Sequence, residues 1–186
     1  MLRAFLAIDL PGALRPEVAR VQEDLKKSGA DVRWVAVGNI HLTMKFFGQI
    51  PEDQAEKIGA AAAAVARGQA PFSLTLTGAG AFPSLKAPRV VWLGLAGDLE
   101  VLARFYRGLE EAFEGLGFPP EGRPFQPHLT LGRVKSPAGR LALVKKLMEL
   151  PPPARQEFQV REIILFRSTL SPQGSTYTPL KIIPLE

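Results

Sequence analysis

The chain has 186 residues, a net charge of +5 and no cysteine. Its length suits one compact domain or two small lobes sharing a core, and 46% hydrophobic with 22% charged residues reads as a soluble globular protein. The missing cysteines exclude disulfides, Fe–S clusters and thiol catalysis and fit a cytoplasmic location, while a pI near 9.7 favours an anionic partner.

Residues 3–10 read as a strand ended by Pro11-Gly12. Asp9 and Pro11 interrupt its apolar run and no small-residue cleavage site follows, so no leader is expected. Residues 14–27 carry Leu14, Val18, Val21 and Leu25 on one helical stripe. A strand over Val32–Val37 follows, then Gly38-Asn39 turns into a strand that begins at His41. Pro51-Glu52-Asp53 opens a second helix reaching about Arg67, and its alanine run suits close packing on a sheet. Residues 72–78 alternate as a strand, 78–88 form a Gly/Pro-rich connection, and Arg89–Leu95 form a further strand. Asp98 is placed to cap a helix over 99–115. Gly115 to Pro127 reads as a loop that delivers a second strand starting at His128. A fourth helix is expected over 138–149, stopped by Pro151-Pro152-Pro153. Residues 157–167 and 176–184 read as strands around the turn Ser171–Gly174. No uncharged run approaches the length of a bilayer span, so no membrane association is expected.

One tetrapeptide occurs twice: His41-Leu42-Thr43-Met44 and His128-Leu129-Thr130-Leu131. These are the only histidines, and threonine, which fills just seven of 186 positions, follows each by two residues. The copies lie 128 − 41 = 87 residues apart, close to half the chain. Such spacing predicts an α+β protein of duplicated, two-lobed form, with two antiparallel sheets facing across a central cleft and helices outside. The whole chain, 1–186, is expected to be a single domain with one motif strand per lobe.

On a strand, His41 and Thr43 project from one face and Leu42 and Met44 from the other; His128 and Thr130 repeat this against Leu129 and Leu131. Two imidazoles across one cleft form a general acid and a general base near neutral pH, and threonine hydroxyls stabilise charged oxygen between them. Phosphoryl transfer needs such in-line positioning more than it needs a covalent nucleophile. Two histidines without cysteine, and without a carboxylate at ligand-like spacing, are too few for a zinc site, so no metal and no cofactor are expected.

The sequence resembles the 2H phosphoesterase superfamily, defined by two His-x-Thr-x motifs, and within it the bacterial and archaeal branch named 2′-5′ RNA ligase or RNA 2′,3′-cyclic phosphodiesterase. The resemblance rests on Arg3 through Pro11, Arg33-Trp34-Val35, Asn39 through Gly48, Pro127 through Arg133, Ser168-Thr169-Leu170 and Gly174 through Tyr177, in that order along the chain. It implies the same fold and a substrate that is RNA ending in a 2′,3′-cyclic phosphate, opened to a 2′-phosphate without metal. It also implies His41 as proton donor, His128 as proton acceptor, and Thr43 and Thr130 on the non-bridging oxygens. The near-symmetry of the motifs does not itself order the two histidines.

Secondary candidates surround the motifs. Lys45 has the parity of His41 and Thr43, which places it at the site or at a solvated strand end. Strict alternation sets Arg133 opposite His128, so it reaches a phosphate only if Gly132 bends or bulges the strand. Phe47 and Phe125 are candidates to stack a base, against core or loop packing as the plainer use. Trp34 and Tyr177 lie in family-like stretches without an assigned role. Rival readings are 2′-5′ RNA joining at the same site, a phosphodiesterase for small cyclic nucleotides, and a non-catalytic RNA-binding module. No protein partner is expected, and the chain is read as a monomer.

Overall fold

The computed structural model describes residues 1–186. The strands are β1 (Leu2–Asp9), β2 (Val32–Trp34), β3 (His41–Ile50), β4 (Phe72–Phe82), β5 (Val90–Gly97), β6 (His128–Val134), β7 (Glu157–Val160), β8 (Glu162–Ser171) and β9 (Gly174–Pro184). The helices are α1 (Arg15–Lys26), α2 (Glu52–Ala66), α3 (Leu99–Glu114) and α4 (Arg140–Glu149). None is long and apolar enough to cross a membrane.

All strand pairings are antiparallel, in the order β7-β4-β5-β6-β3-β1-β8-β9, with β2 added to β6. The two expected sheets are thus two arms of one nine-stranded sheet, four strands in the first and five, counting β2, in the second. They meet only where the motif strands touch, at the single register pair Leu42–Leu129. Strand, helix, motif strand, helix runs once as β1-α1-β3-α2 and again as β5-α3-β6-α4. The chain does not divide at its middle, however. The C-terminal hairpin β8–β9 returns to the first arm through β8 on β1, and β2 crosses to the second arm.

One face of this sheet carries the main core. Leu42, Met44, Leu129 and Leu131 from the motif strands meet Val18, Val21 and Leu25 of α1 and Leu102, Phe105, Leu109 and Phe113 of α3 in one buried cluster. A smaller cluster on the opposite face of the first arm holds Phe5, Ala7, Ile164 and Phe166, with Tyr177 packed against it.

Several elements differ from the sequence expectation. The strand expected over Val32–Val37 stops at Trp34; Val35 N–H still donates to the Leu131 carbonyl of β6, and a 3-10 turn then occupies Val37–Asn39. The strand expected at 72–78 continues to Phe82, and its glycines are what allow it. A Cβ at Gly80 would stand 2.4 Å from the Trp92 ring, which lies across that position. Asp98 is the N-cap residue of α3, as expected, but its side chain makes no capping hydrogen bond. Its carboxylate instead accepts the Ser73 N–H at 2.8 Å, tying β4 to the helix. The single strand expected over 157–167 is two, split between β4 and β1 as partners.

Candidate active site

The seam between β3 and β6 sets the site. Leu42 and Leu129 pair there and point into the core. Their neighbours, His41, Thr43, His128 and Thr130, therefore project from the opposite face of both strands. That face opens on a cavity of about 920 Å³ lined by His41, Thr43, Thr130 and Arg133, among others. Three arginines (Arg3, Arg33 and Arg133) and no carboxylate line it, so it favours an anion. His128 shares the face but not the lining; its ring sits edge-on to Phe82, centroids 4.9 Å apart.

Both histidines are held in the same way. His41 Nδ1 lies 2.7 Å from the Asn39 carbonyl, and His128 Nδ1 lies 2.7 Å from the Gln126 carbonyl. A carbonyl only accepts, so each Nδ1 carries hydrogen and each Nε2 is the atom that gains or loses a proton. Thr43 Oγ1 is 2.9 Å from His41 Nε2. Asn39 is itself fixed by donating to the Ser175 carbonyl of β9 at 2.8 Å.

Their surroundings differ. The His41 ring stacks on Phe5 at 4.8 Å and meets the edge of Tyr177 at 5.4 Å. Asp9 pairs with His41 across β1–β3, and Arg15 closes an ion pair with Asp9 at 2.8 Å. Burial pulls the His41 pKa below its ordinary value. The Asn39 carbonyl and the Asp9 carboxylate pull upward against this, and the Arg15 cation adds a downward push. Burial also lowers the His128 pKa, with the Gln126 carbonyl opposing and the Arg133 cation reinforcing it.

Arg133 reaches the cavity because the strand bulges. Trp92 pairs with Thr130 but Val91 with Gly132, which leaves Leu131 as an extra residue and reverses the alternation. The Leu131 carbonyl is satisfied twice, by the Val35 N–H at 2.8 Å and by Gln22 Nε2 of α1 at 2.9 Å. Gln22 is a polar side chain only 1% exposed. Gly132 leaves room for Trp34, whose Cε3 lies 2.9 Å from where a Cβ would stand.

A matching bulge on β3 corrects the reading of Lys45. Ala7 pairs with Thr43 but Leu6 with Lys45, so Met44 is the extra residue and Lys45 turns into the core. There it is 5% exposed, paired with Glu110 of α3 at 2.8 Å and donating to the Pro119 carbonyl at 2.7 Å. Glu110 in turn accepts the Glu121 N–H at 2.8 Å. Lys45 is therefore a tie to the loop that leads to His128, not a cavity residue. Phe47 also faces the core, edge-on to Phe113 and Phe118 at 5.0 and 5.1 Å. Phe125 stacks flat on Tyr106 at 4.0 Å and is not part of the cavity lining. Burial, with Glu110 alongside, pushes the Tyr106 phenol up to about 12, so it stays protonated.

Among the cavity residues to which sequence reasoning gave no role are Arg3, Arg33 and Phe46. Phe46 would have followed from alternation only with the bulge at Met44 known in advance. No group of three or more His, Asp or Glu side chains is clustered in a way that could hold a metal ion.

A two-armed antiparallel sheet with one His-x-Thr-x copy on each central strand is the arrangement of a 2H phosphoesterase. Residues 10–171 match the family model of the 2′-5′ RNA ligase superfamily. A Methanothermobacter thermautotrophicus protein named RNA 2′,3′-cyclic phosphodiesterase is 40% identical over 184 residues, 99% of each chain. A Thermus thermophilus crystal structure superposes with a TM-score of 0.83 at 31% identity, covering 99% of this chain and 98% of that one. Escherichia coli LigT complexed with 3′-AMP gives 0.80 at 32% identity, again over 99% and 98%. The chain belongs to the 2′-5′ RNA ligase superfamily.

Proposed function

We propose that this protein hydrolyses the 2′,3′-cyclic phosphate at RNA ends to a 2′-phosphomonoester by metal-independent acid–base catalysis between His41 and His128. The observation that carries the reading is the shared tautomer: two imidazoles, each with Nδ1–H bound to a backbone carbonyl, each keeping Nε2 for proton transfer. Neutral His128 takes a proton from water, whose oxygen bonds to phosphorus as the bond from phosphorus to O3′ breaks. Protonated His41 gives its Nε2 proton to O3′. Solvent then resets both rings. Thr43 and Thr130 donate to the non-bridging oxygens, and Arg133 adds charge beside Thr130.

The charges around the rings support this order. Burial lowers both rings; against it the Asp9 carboxylate favours the His41 cation, partly offset by Arg15, whereas no carboxylate acts on His128 and Arg133 disfavours its cation, which suits an acid and a base respectively. The relatives named RNA 2′,3′-cyclic phosphodiesterase and the cation-rich, carboxylate-free cavity support the substrate. Joining of RNA ends through a 2′-5′ bond is the same displacement with a ribose 5′-hydroxyl attacking phosphorus in place of water, O3′ again leaving.

The test is release of a 2′-phosphate end from a short RNA carrying a 2′,3′-cyclic phosphate, in EDTA. Wild type turns over, and His41→Ala and His128→Ala each lose roughly 10²- to 10⁴-fold in kcat, the usual worth of a general acid or base. No turnover by folded wild type, or turnover abolished by EDTA, overturns the proposal.

A further inference from the structure

We infer that Arg3 and Phe46 form a stacking seat for the nucleobase of the nucleotide immediately 5′ of the one that bears the cyclic phosphate. This rests on the RNA-end reading above. Phe46 is 45% exposed, a large apolar ring on the open face of β3, and it lines the same cavity as His41 and Thr43. It is there because the bulge at Met44 turns Lys45 inward and Phe46 outward, opposite Phe5 of β1. Arg3 of β1 lays its guanidinium over the ring at 4.6 Å from the centroid. An exposed phenylalanine alone needs no explanation. One capped by an arginine inside an anion-favouring cavity presents two stacking planes and a positive charge together, the combination that holds bases of single strands without reading their sequence.

Position decides which base it meets. Thr43 and Phe46 are three residues apart on one strand, roughly 10 Å at strand rise and less across a bulge. A phosphate at Thr43 therefore leaves the seat one step along the cavity. The RNA ends at the cyclic phosphate, so its chain continues only in the 5′ direction. The next base that way is the one within reach of the seat.

The experiment compares kcat/KM of wild type, Phe46→Ala, Phe46→Trp and Arg3→Ala on two substrates: a dinucleotide ending in a 2′,3′-cyclic phosphate, and the same dinucleotide with an abasic 5′ residue. Stacking on an aromatic side chain is worth about 5- to 150-fold per base. Phe46→Ala is expected to lose that much on the full dinucleotide and to leave the abasic one nearly unchanged. Arg3→Ala should lose less in the same direction, and Phe46→Trp should keep wild-type discrimination between the two substrates. Equal losses on both dinucleotides, or no loss on the full one, overturn the seat while leaving the hydrolase reading intact. Wild type that turns over neither substrate overturns the hydrolase reading and the seat with it.

Discussion

The two arms carry the same device in different company. In each, a strand presents histidine and threonine on the open face and then bulges one residue after the threonine, at Met44 in β3 and at Leu131 in β6. With an offset of 87, Phe5 corresponds to Trp92, Ala7 to Gly94, Lys45 to Gly132 and Phe46 to Arg133. The first arm thus offers a stacked aromatic floor under His41, a carboxylate beside it, and an aromatic past the bulge. The second offers a histidine edge-on to Phe82 and an arginine past the bulge. In the proposed mechanism, near-identical motifs serve as acid and base through what surrounds them, not through their own residues.

The comparison breaks most severely if either histidine is removed, as set out above, and losing both should cost little more than losing one, because the pair acts as a unit. Next in size is Lys45→Met. It leaves Glu110 as an unpaired buried carboxylate, and removing one partner of such a pair typically costs about 3–5 kcal/mol. Thermal unfolding should show a large drop in Tm, recovered in good part by adding Glu110→Leu. Arg133→Ala, after the equivalent bulge, should leave Tm nearly unchanged and lower kcat/KM by roughly 10- to 100-fold, the worth of a charge-assisted contact of about 1.5–3 kcal/mol. Similar effects of the two substitutions on stability would erase the contrast between the arms.

The smallest effect is on pH dependence. One ring must be neutral and the other charged, so kcat/KM against pH is a bell centred midway between the two apparent pKa values of the pair. Burial lowers both, which puts the optimum below about 6.5, the ordinary histidine value. Asp9→Asn removes an upward pull on His41 and should move the optimum to lower pH. Arg133→Ala removes a downward push on His128 and should move it to higher pH. Shifts in the same direction would contradict the opposite surroundings of the two rings.

Much of this was legible in the sequence. Scarce threonine at the same offset from the only two histidines pointed to the paired site. Alternation placed Leu42 and Leu129 in the core and the four polar residues on the other face. The parity of Lys45 failed because it rests on unbroken alternation, while Phe47 takes the core packing that was its plainer use. A bulge depends on the register with a neighbouring strand, here β1, which no local pattern reveals. Arg133 was conditional on a bend at Gly132, and that glycine was the visible sign of it. Phe46 and Arg3 escaped notice because their meeting needs both the bulge and the β1–β3 pairing. The return of β8–β9 to the first arm is likewise a long-range pairing, invisible to periodicity, yet it brings Tyr177 to His41 and Ser175 to Asn39.

The division of labour between the arms is tested most directly with a cyclic phosphate whose 3′ leaving oxygen is replaced by sulfur. A thiolate leaves without being protonated, so such a substrate needs no general acid. On it, His41→Ala should recover to near wild-type rate while His128→Ala stays as impaired as on the oxygen substrate. Recovery by His128→Ala instead would reverse the roles, and contradict the claim that their surroundings make His41 the acid and His128 the base.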